Sequence, residues 1–272
     1  MAHELGTKGT KGTEINPVNP IRVPASKLAS SVFALFVLFV AKPLTLVIAH
    51  RGASAEKPEN TLAAFRRALA LKADGIELDV QASADGMPVV FHDARLRRLT
   101  GFRGRLADLP WRELKQLRVA GTERIPRLSD VFALLRDRGM VVQVELKRGA
   151  AVAPVLRDIR RAKATRGVIL ASFEPELVAE ARRLAPEIPR MLISAGRGGP
   201  GELLRQMAAA GADGLSLNYK SVRTRATVNR IHAAGATLWC WTVNDATAAR
   251  RLAEWGVDAL IGDNPALLRD AV

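Results

Sequence analysis

The 272-residue chain has a single cysteine, Cys240, so it forms no internal disulfide and offers no cluster of thiolates to a metal. Lying between two tryptophans in "LWCWTVN", Cys240 reads as a small hydrophobe on a buried strand. Aromatic residues make up only 5% of the sequence, which matters because the formal charge is +14. Such a charge raises the question of nucleic acid, yet base-stacking platforms and a dense basic stripe are both missing. The excess arginine is spread over helical segments such as "RDIRRAK" and "EARRLAP" and reads as a solvated surface, so no nucleic-acid partner is expected.

Long apolar runs are also absent. "LASSVFALFVLFVA", residues 28–41, falls short of the ~20 residues that a membrane-spanning helix needs. Its length suits the core of an export signal, with Lys8, Lys11, Arg22 and Lys27 as a basic flank, but Phe39 stands where cleavage after Ala41 would want a small residue. A cytoplasmic location is therefore expected, with an export signal or membrane association through residues 28–41 as the alternative. Residues 1–27 are rich in Gly, Thr, Pro and Asn and show no apolar period. The chain accordingly divides into a leader, 1–43, disordered up to its short apolar segment, and a folded domain, 44–272.

Within that domain, short Val-, Ile- and Leu-rich runs alternate with amphipathic segments of helical period, the pattern of parallel strands covered by helices. The strands are expected at 45–50, 75–80, 140–146, 167–172, 189–194, 213–218, 236–241 and 258–262. Helices are expected at 60–72, 129–138, 151–164, 175–185, 201–210, 222–234, 245–255 and after Pro265. Asn60, Ser129 and Asn244 or Asp245 are natural helix caps, and Gly139, Gly211, Gly235 and Gly256 natural stops. Eight such pairs predict an α/β fold, a (β/α)8 TIM barrel. One interval breaks the rhythm: between the second and third strands, residues 81–128 hold "GMPVVFHD", a short strand ending in His92 and Asp93, and then a turn-rich loop leading into a short helix. Excursions of this length from barrel strands are usually functional.

Reactive groups of such a barrel gather where strands end on the C-terminal face. The first strand ends in His50 and Arg51, the second carries Glu77 and Asp79, the excursion adds His92 and Asp93, and the third strand carries Glu145 and Lys147. Residues two apart on a strand share a face, so three carboxylates and an ammonium converge. Oxygen-only ligands of this kind suit Mg²⁺ or Ca²⁺, and a salt-bridge network with Arg51 and Lys147 is the other way to hold them. Cation, guanidinium and ammonium together fit a phosphate ester, with the two imidazoles moving protons. Of the four histidines, His232 inside a helix and His3 in the leader lie outside this constellation.

"HRGASAEKPENTLAAFRRAL", "DGIELDVQASADGMPVVFHDARLRRLTG", "ERIPRLSDVFALL", "VELK", "WTVND" and "GVDALIGDNP" occur in this order over about residues 46–268. Together they resemble the glycerophosphodiester phosphodiesterase family. The resemblance implies a (β/α)8 barrel that hydrolyses glycerophosphocholine, glycerophosphoethanolamine and similar small diesters to sn-glycerol 3-phosphate and an alcohol. It implies His50 and His92 as the acid/base pair and Arg51 and Lys147 as phosphate contacts. Glu77, Asp79 and Glu145 become ligands of one divalent cation, Ca²⁺ or Mg²⁺, with Mn²⁺ a further candidate. Trp241, and with it Phe173, becomes an aromatic wall for the glycerol moiety. Gly262 and Ser83 stand where the family often has threonine, outside the implied ligand set. A phospholipase D-like action on lysophospholipids at a membrane, and noncatalytic binding of a phosphate ligand, are the competing readings.

Overall fold

In the computed structural model, residues 45–272 are described; the leader and its apolar segment lie outside the described residues. The aliphatic runs form strands β1 Leu46–His50, β2 Gly75–Ala82, β3 Val141–Leu146, β4 Val168–Ser172, β5 Arg190–Ser194, β6 Gly214–Asn218, β7 Thr237–Trp241 and β8 Ala259–Gly262. Each pairs in parallel with the next in chain order, and β1 pairs with both β2 and β8, closing the sheet. Between and after them run helices α1 Leu62–Ala70, α2 Leu128–Leu135, α3 Val152–Arg161, α4 Pro175–Leu184, α5 Pro200–Ala210, α6 Arg225–Ala233, α7 Ala246–Trp255 and α8 Pro265–Arg269. The fold is the expected (β/α)8 barrel.

The two-residue period of the strands sorts the core. Leu46, Ile48, Ile169, Met191, Trp239 and Ile261 belong to one buried cluster inside the barrel. The alternate residues, including Leu78, Val144 and Leu170 on one side and Leu215, Leu238 and Leu260 on the other, pack with the helices. At the base of the barrel three aspartates repeat one device. Asp74, Asp213 and Asp258 each accept a backbone N–H, from Val47 (2.7 Å), Arg190 (3.1 Å) and Leu238 (2.7 Å). Each also holds a basic side chain: Arg269 at 2.8 Å, Arg190 at 2.6 Å and His232 at 2.9 Å. His232 is thus spent on the scaffold, far from the strand ends where chemistry gathers.

The excursion is more ordered than a turn-rich loop. Pro88–Val90 runs antiparallel to β2, pairing Val80 with Val90, so the strand stops two residues short of His92. Short helices at Arg97–Thr100 and Trp111–Leu114 and a hairpin of Arg118–Val119 with Glu123–Arg124 follow. Val89, Phe91, Leu96, Leu106, Leu114 and Val119 are buried together, giving the insertion a core of its own.

Two expected caps are corrected. Thr61, not Asn60, caps α1 by accepting the Ala64 N–H, because Asn60 is left-handed (φ 58°) and turns its amide to Asp79. The second helix starts at Leu128, one residue before Ser129, with Asp130 reaching back to accept the Arg127 N–H at 3.0 Å. It ends at Leu135, ahead of Gly139. Asp245 caps α7, which frees Asn244 for a partner on the neighbouring strand end.

Candidate active site

His50 continues the inward-facing row of Leu46 and Ile48, so the barrel's own parity points its ring into the mouth. The chain then reverses through two left-handed residues, Arg51 (φ 55°) and Gly52 (φ 82°). A side chain at position 52 would place its Cβ 2.7 Å from the Ala64 carbonyl carbon, so only glycine lets α1 lie this close. The turn aims the Arg51 N–H at Glu77 Oε2, 3.0 Å away, and is tied off where the Asn60 N–H donates to the Arg51 carbonyl at 2.9 Å.

Glu77, Asp79 and Gln81 alternate with the helix-facing Ile76, Leu78 and Val80 on β2, and Gln143 and Glu145 do the same on β3. Asp79 and Glu145 are direct partners across the two strands. One oxygen from each of Glu77, Asp79 and Glu145 lies within 4.8 Å of the others, Glu77 and Asp79 buried and the Glu145 side chain 12% exposed. Lys147 Nζ sits 2.6 Å from Glu145 and 3.4 Å from Asp79. Arg51 Nε, buried and without a hydrogen bond, lies 3.3 Å from Asp79 Oδ2, while its Nη1 donates to Glu59 at 2.8 Å.

This crowding sets the charges. Burial, reinforced by the Asp79 charge, pushes the Glu77 carboxyl up to about 8. Burial and Asp79 raise Glu145 as well, against the pull of Lys147. Burial opposes ionisation of Asp79 too, but Arg51 and Lys147 prevail and hold it below the usual carboxylate range. Three oxygen donors, two of them strained by proximity to a third, are the donor chemistry that a hard divalent cation satisfies.

Each histidine at the mouth has its own carboxylate. His50 Nδ1 lies 2.6 Å from Asp263 Oδ1, leaving Nε2 turned toward Glu77 at 4.0 Å. Burial works against a charged His50, yet the Asp263 hydrogen bond and the Glu77 charge raise its pKa above the ordinary histidine value. Asp263 is fixed in turn by Ser54 Oγ at 3.0 Å and by the Asn244 amide. His92 Nδ1 lies 2.7 Å from Asp93 Oδ1, and Gln81 Nε2 donates to the carbonyls of Phe91, His92 and Asp93, pinning that turn to β2. Arg98 joins the two halves: it donates to Asp93 at 2.6 and 3.0 Å and to Glu59 at 2.9 and 2.8 Å.

Phe173, after β4, meets Trp241, the last residue of β7, edge to face with ring centres 5.7 Å apart. The Trp241 indole is held by the Ser216 carbonyl at 3.0 Å. A cavity of about 450 Å³ opens beside His50, Arg51, Glu59 and Asp263. A second cleft, about 470 Å³, lies at the opposite end over Phe132, Leu135 and Val168 and is remote from this cluster.

A family model described as the glycerophosphoryl diester phosphodiesterase family matches residues 50–267. The chain belongs to that family. A glycerophosphodiester phosphodiesterase of Caldanaerobacter subterraneus is 35% identical over 242 residues, spanning 84% of this chain and 98% of the relative. Among solved structures, an Oleispira antarctica phosphodiesterase in complex with the product sn-glycerol-3-phosphate is similar at 30% identity and a TM-score of 0.78, covering 84% of this chain and 96% of that one. A glycerophosphodiester phosphodiesterase from Agrobacterium tumefaciens is similar at 29% identity and a TM-score of 0.75, over 84% of this chain and all of that one.

With its family established, the chain is an enzyme of the phosphodiesterase class. The structure brings together His50, His92, Arg51, Lys147, Glu77, Asp79 and Glu145, and sets Phe173 against Trp241. Reading the sequence placed Asp93 beside His92 but missed Asp263, the carboxylate that orients His50. Its signal was present: it lies two residues beyond Ile261 and so shares the inward parity of Ala259 and Ile261. Gln81 carried the same signal, sharing the face of Glu77 and Asp79 on β2, whereas Glu59, Asn60, Asn244 and Arg98 lie outside the barrel strands and carried none.

Proposed function

We propose that this chain hydrolyses small glycerophosphodiesters to sn-glycerol 3-phosphate and an alcohol by acid/base catalysis between His50 and His92. The observation that carries this reading is the matched orientation of the two rings. Each has Nδ1 on a dedicated carboxylate, Asp263 at 2.6 Å and Asp93 at 2.7 Å, which leaves Nε2 to accept or give a proton.

Glu77, Asp79 and Glu145 would hold one divalent cation, Ca²⁺, Mg²⁺ or Mn²⁺, which when bound supplies Lewis-acid neutralisation of phosphate charge. Arg51 and Lys147 border the same volume. Arg51 Nε, which pairs with Asp79 at 3.3 Å but makes no hydrogen bond, is free to donate one to a nonbridging phosphate oxygen. One imidazole takes the proton of the attacking group as its oxygen bonds to phosphorus; that group is water, or the neighbouring glycerol hydroxyl, in which case water then opens the resulting cyclic phosphate to give glycerol 3-phosphate. The other returns a proton to the alkoxide as the opposite phosphorus–oxygen bond breaks. Phe173 and Trp241 form an apolar wall against which the glycerol carbons rest.

The test is release of glycerol 3-phosphate from glycerophosphocholine by the full chain, before and after treatment with a chelator. Turnover that stops with the chelator and returns with Ca²⁺, Mg²⁺ or Mn²⁺ supports the reading. Turnover that the chelator leaves untouched removes the cation from it.

A further inference from the structure

Between Asp93 and Asp108 the insertion carries five arginines, Arg95, Arg97, Arg98, Arg103 and Arg105, and no acidic residue. Arg98 is committed to Glu59 and Asp93. The other four are exposed and make no ion pair among the described residues. Two of them, Arg95 and Arg105, are direct partners across an antiparallel bridge, a position in which like charges repel. Neither makes an ion pair or a side-chain hydrogen bond among the described residues.

An aromatic ring stands at the tip of this loop. Phe102 is 40% exposed, one of three exposed large hydrophobics among the described residues, and a second, Phe173, lies at the C-terminal end of β4. The presentation of Phe102 is built: Gly101 ends the preceding short helix in a left-handed conformation, the Phe102 N–H donates to Thr100 Oγ at 3.2 Å, and the ring rests over Gly104. Since Arg98 in the same helix reaches Glu59 and Asp93, the loop borders the mouth of the barrel.

Exposed arginines around a protruding aromatic match the chemistry of an anionic bilayer. Each basic side chain near such a surface strengthens binding about fivefold, and an aromatic ring rests in the headgroup layer. Duplex nucleic acid would answer the charge but gives a lone phenylalanine no stacking site. We propose that residues 95–105 are a docking surface for anionic lipid membranes, with Phe102 entering the headgroup layer and Arg95, Arg97, Arg103 and Arg105 facing lipid phosphates. Docked this way, the mouth of the barrel lies against the bilayer. The surface stands apart from the hydrolytic groups, so its failure would leave the catalytic reading untouched.

The test uses the full chain, sedimented with phosphatidylcholine vesicles with and without phosphatidylglycerol at about 0.1 M salt. Binding is expected only with phosphatidylglycerol, and it weakens as salt rises. Changing Arg95, Arg97, Arg103 and Arg105 together to Gln lowers it by on the order of 10³-fold, with glycerophosphocholine hydrolysis unchanged. Phe102→Ser, which keeps every arginine, lowers it too. Amide exchange over residues 95–105 slows on the anionic vesicles, a local signal that binding through the leader does not produce. The proposal is overturned by equal vesicle binding of the arginine variant, by unchanged exchange in this loop, or by protection of the loop on duplex DNA but not on vesicles.

Discussion

Arg98 donates two hydrogen bonds to Glu59, at 2.9 and 2.8 Å, across 39 positions of sequence. Glu59 also receives Arg51, and Arg98 also holds Asp93, so Arg51 and the His92 carboxylate share one bridge. The bridge needs a planar fork rather than a point charge. Arg98→Ala is expected to lower kcat for glycerophosphocholine by about 10-fold or more, with a smaller change in KM. Arg98→Lys, which keeps the charge and loses the fork, recovers only part of this. Steady-state kinetics of the two variants check it, and full recovery by lysine would reduce Arg98 to a source of charge.

Asp263 offers a pH test. Burial opposes its ionisation, but the hydrogen bonds from His50, Asn244 and Ser54 prevail and hold it at about 2. A carboxyl with a folded pKa below its unfolded one stabilises the fold fully above about pH 4, and that contribution fades as pH falls toward the folded value. Asp263→Asn is therefore expected to lower the urea midpoint at neutral pH, and the gap from wild type should shrink below about pH 4. A gap that stays constant as pH falls on from about 4 to about 2 would mean that the Asp263 charge is not what stabilises the turn.

The carboxylate trio predicts a thermal response to cations. Binding at a hundredfold excess over Kd stabilises the fold by about 2.7 kcal/mol. Adding Ca²⁺, Mg²⁺ or Mn²⁺ to chelator-treated protein is expected to raise Tm, and Asp79→Asn with Glu145→Gln should abolish the rise. Differential scanning calorimetry measures this without reference to activity. An equal rise in the double variant would place the cation elsewhere.

Gly52 predicts a backbone effect. With φ at 82° and Ala64 in the way, Gly52→Ala must shift either the turn or α1. A loss of about 1–3 kcal/mol in unfolding free energy is expected, together with weaker phosphate binding because Arg51 moves with the turn. A denaturant titration that shows wild-type stability would contradict the close packing at this turn.

How much of this was legible in the sequence follows from the range of each interaction. The barrel strands were legible because each is a short continuous apolar run bounded by segments of helical period, as Leu46–His50 shows. The two-residue period of a strand placed Glu77 beside Asp79, and Glu145 beside Lys147. Asn60 was misread because a cap and a long-range ligand call for the same residue type, and only the fold shows its amide on Asp79, 19 positions away. Arg98 looked like one more surface arginine; its two carboxylate partners converge only once the insertion folds on its own core. Asp263 lies 213 positions from His50, and the pair exists because β8 closes against β1.

In the proposed mechanism two histidines, each oriented by its own carboxylate, work together on one phosphodiester. The most direct measurement is the rate of glycerol 3-phosphate release from glycerophosphocholine by wild type, His50→Ala and His92→Ala, each confirmed folded by its melting curve. Each substitution is predicted to lower kcat by about 10²-fold or more. A near-normal rate in either variant would contradict the two-histidine mechanism.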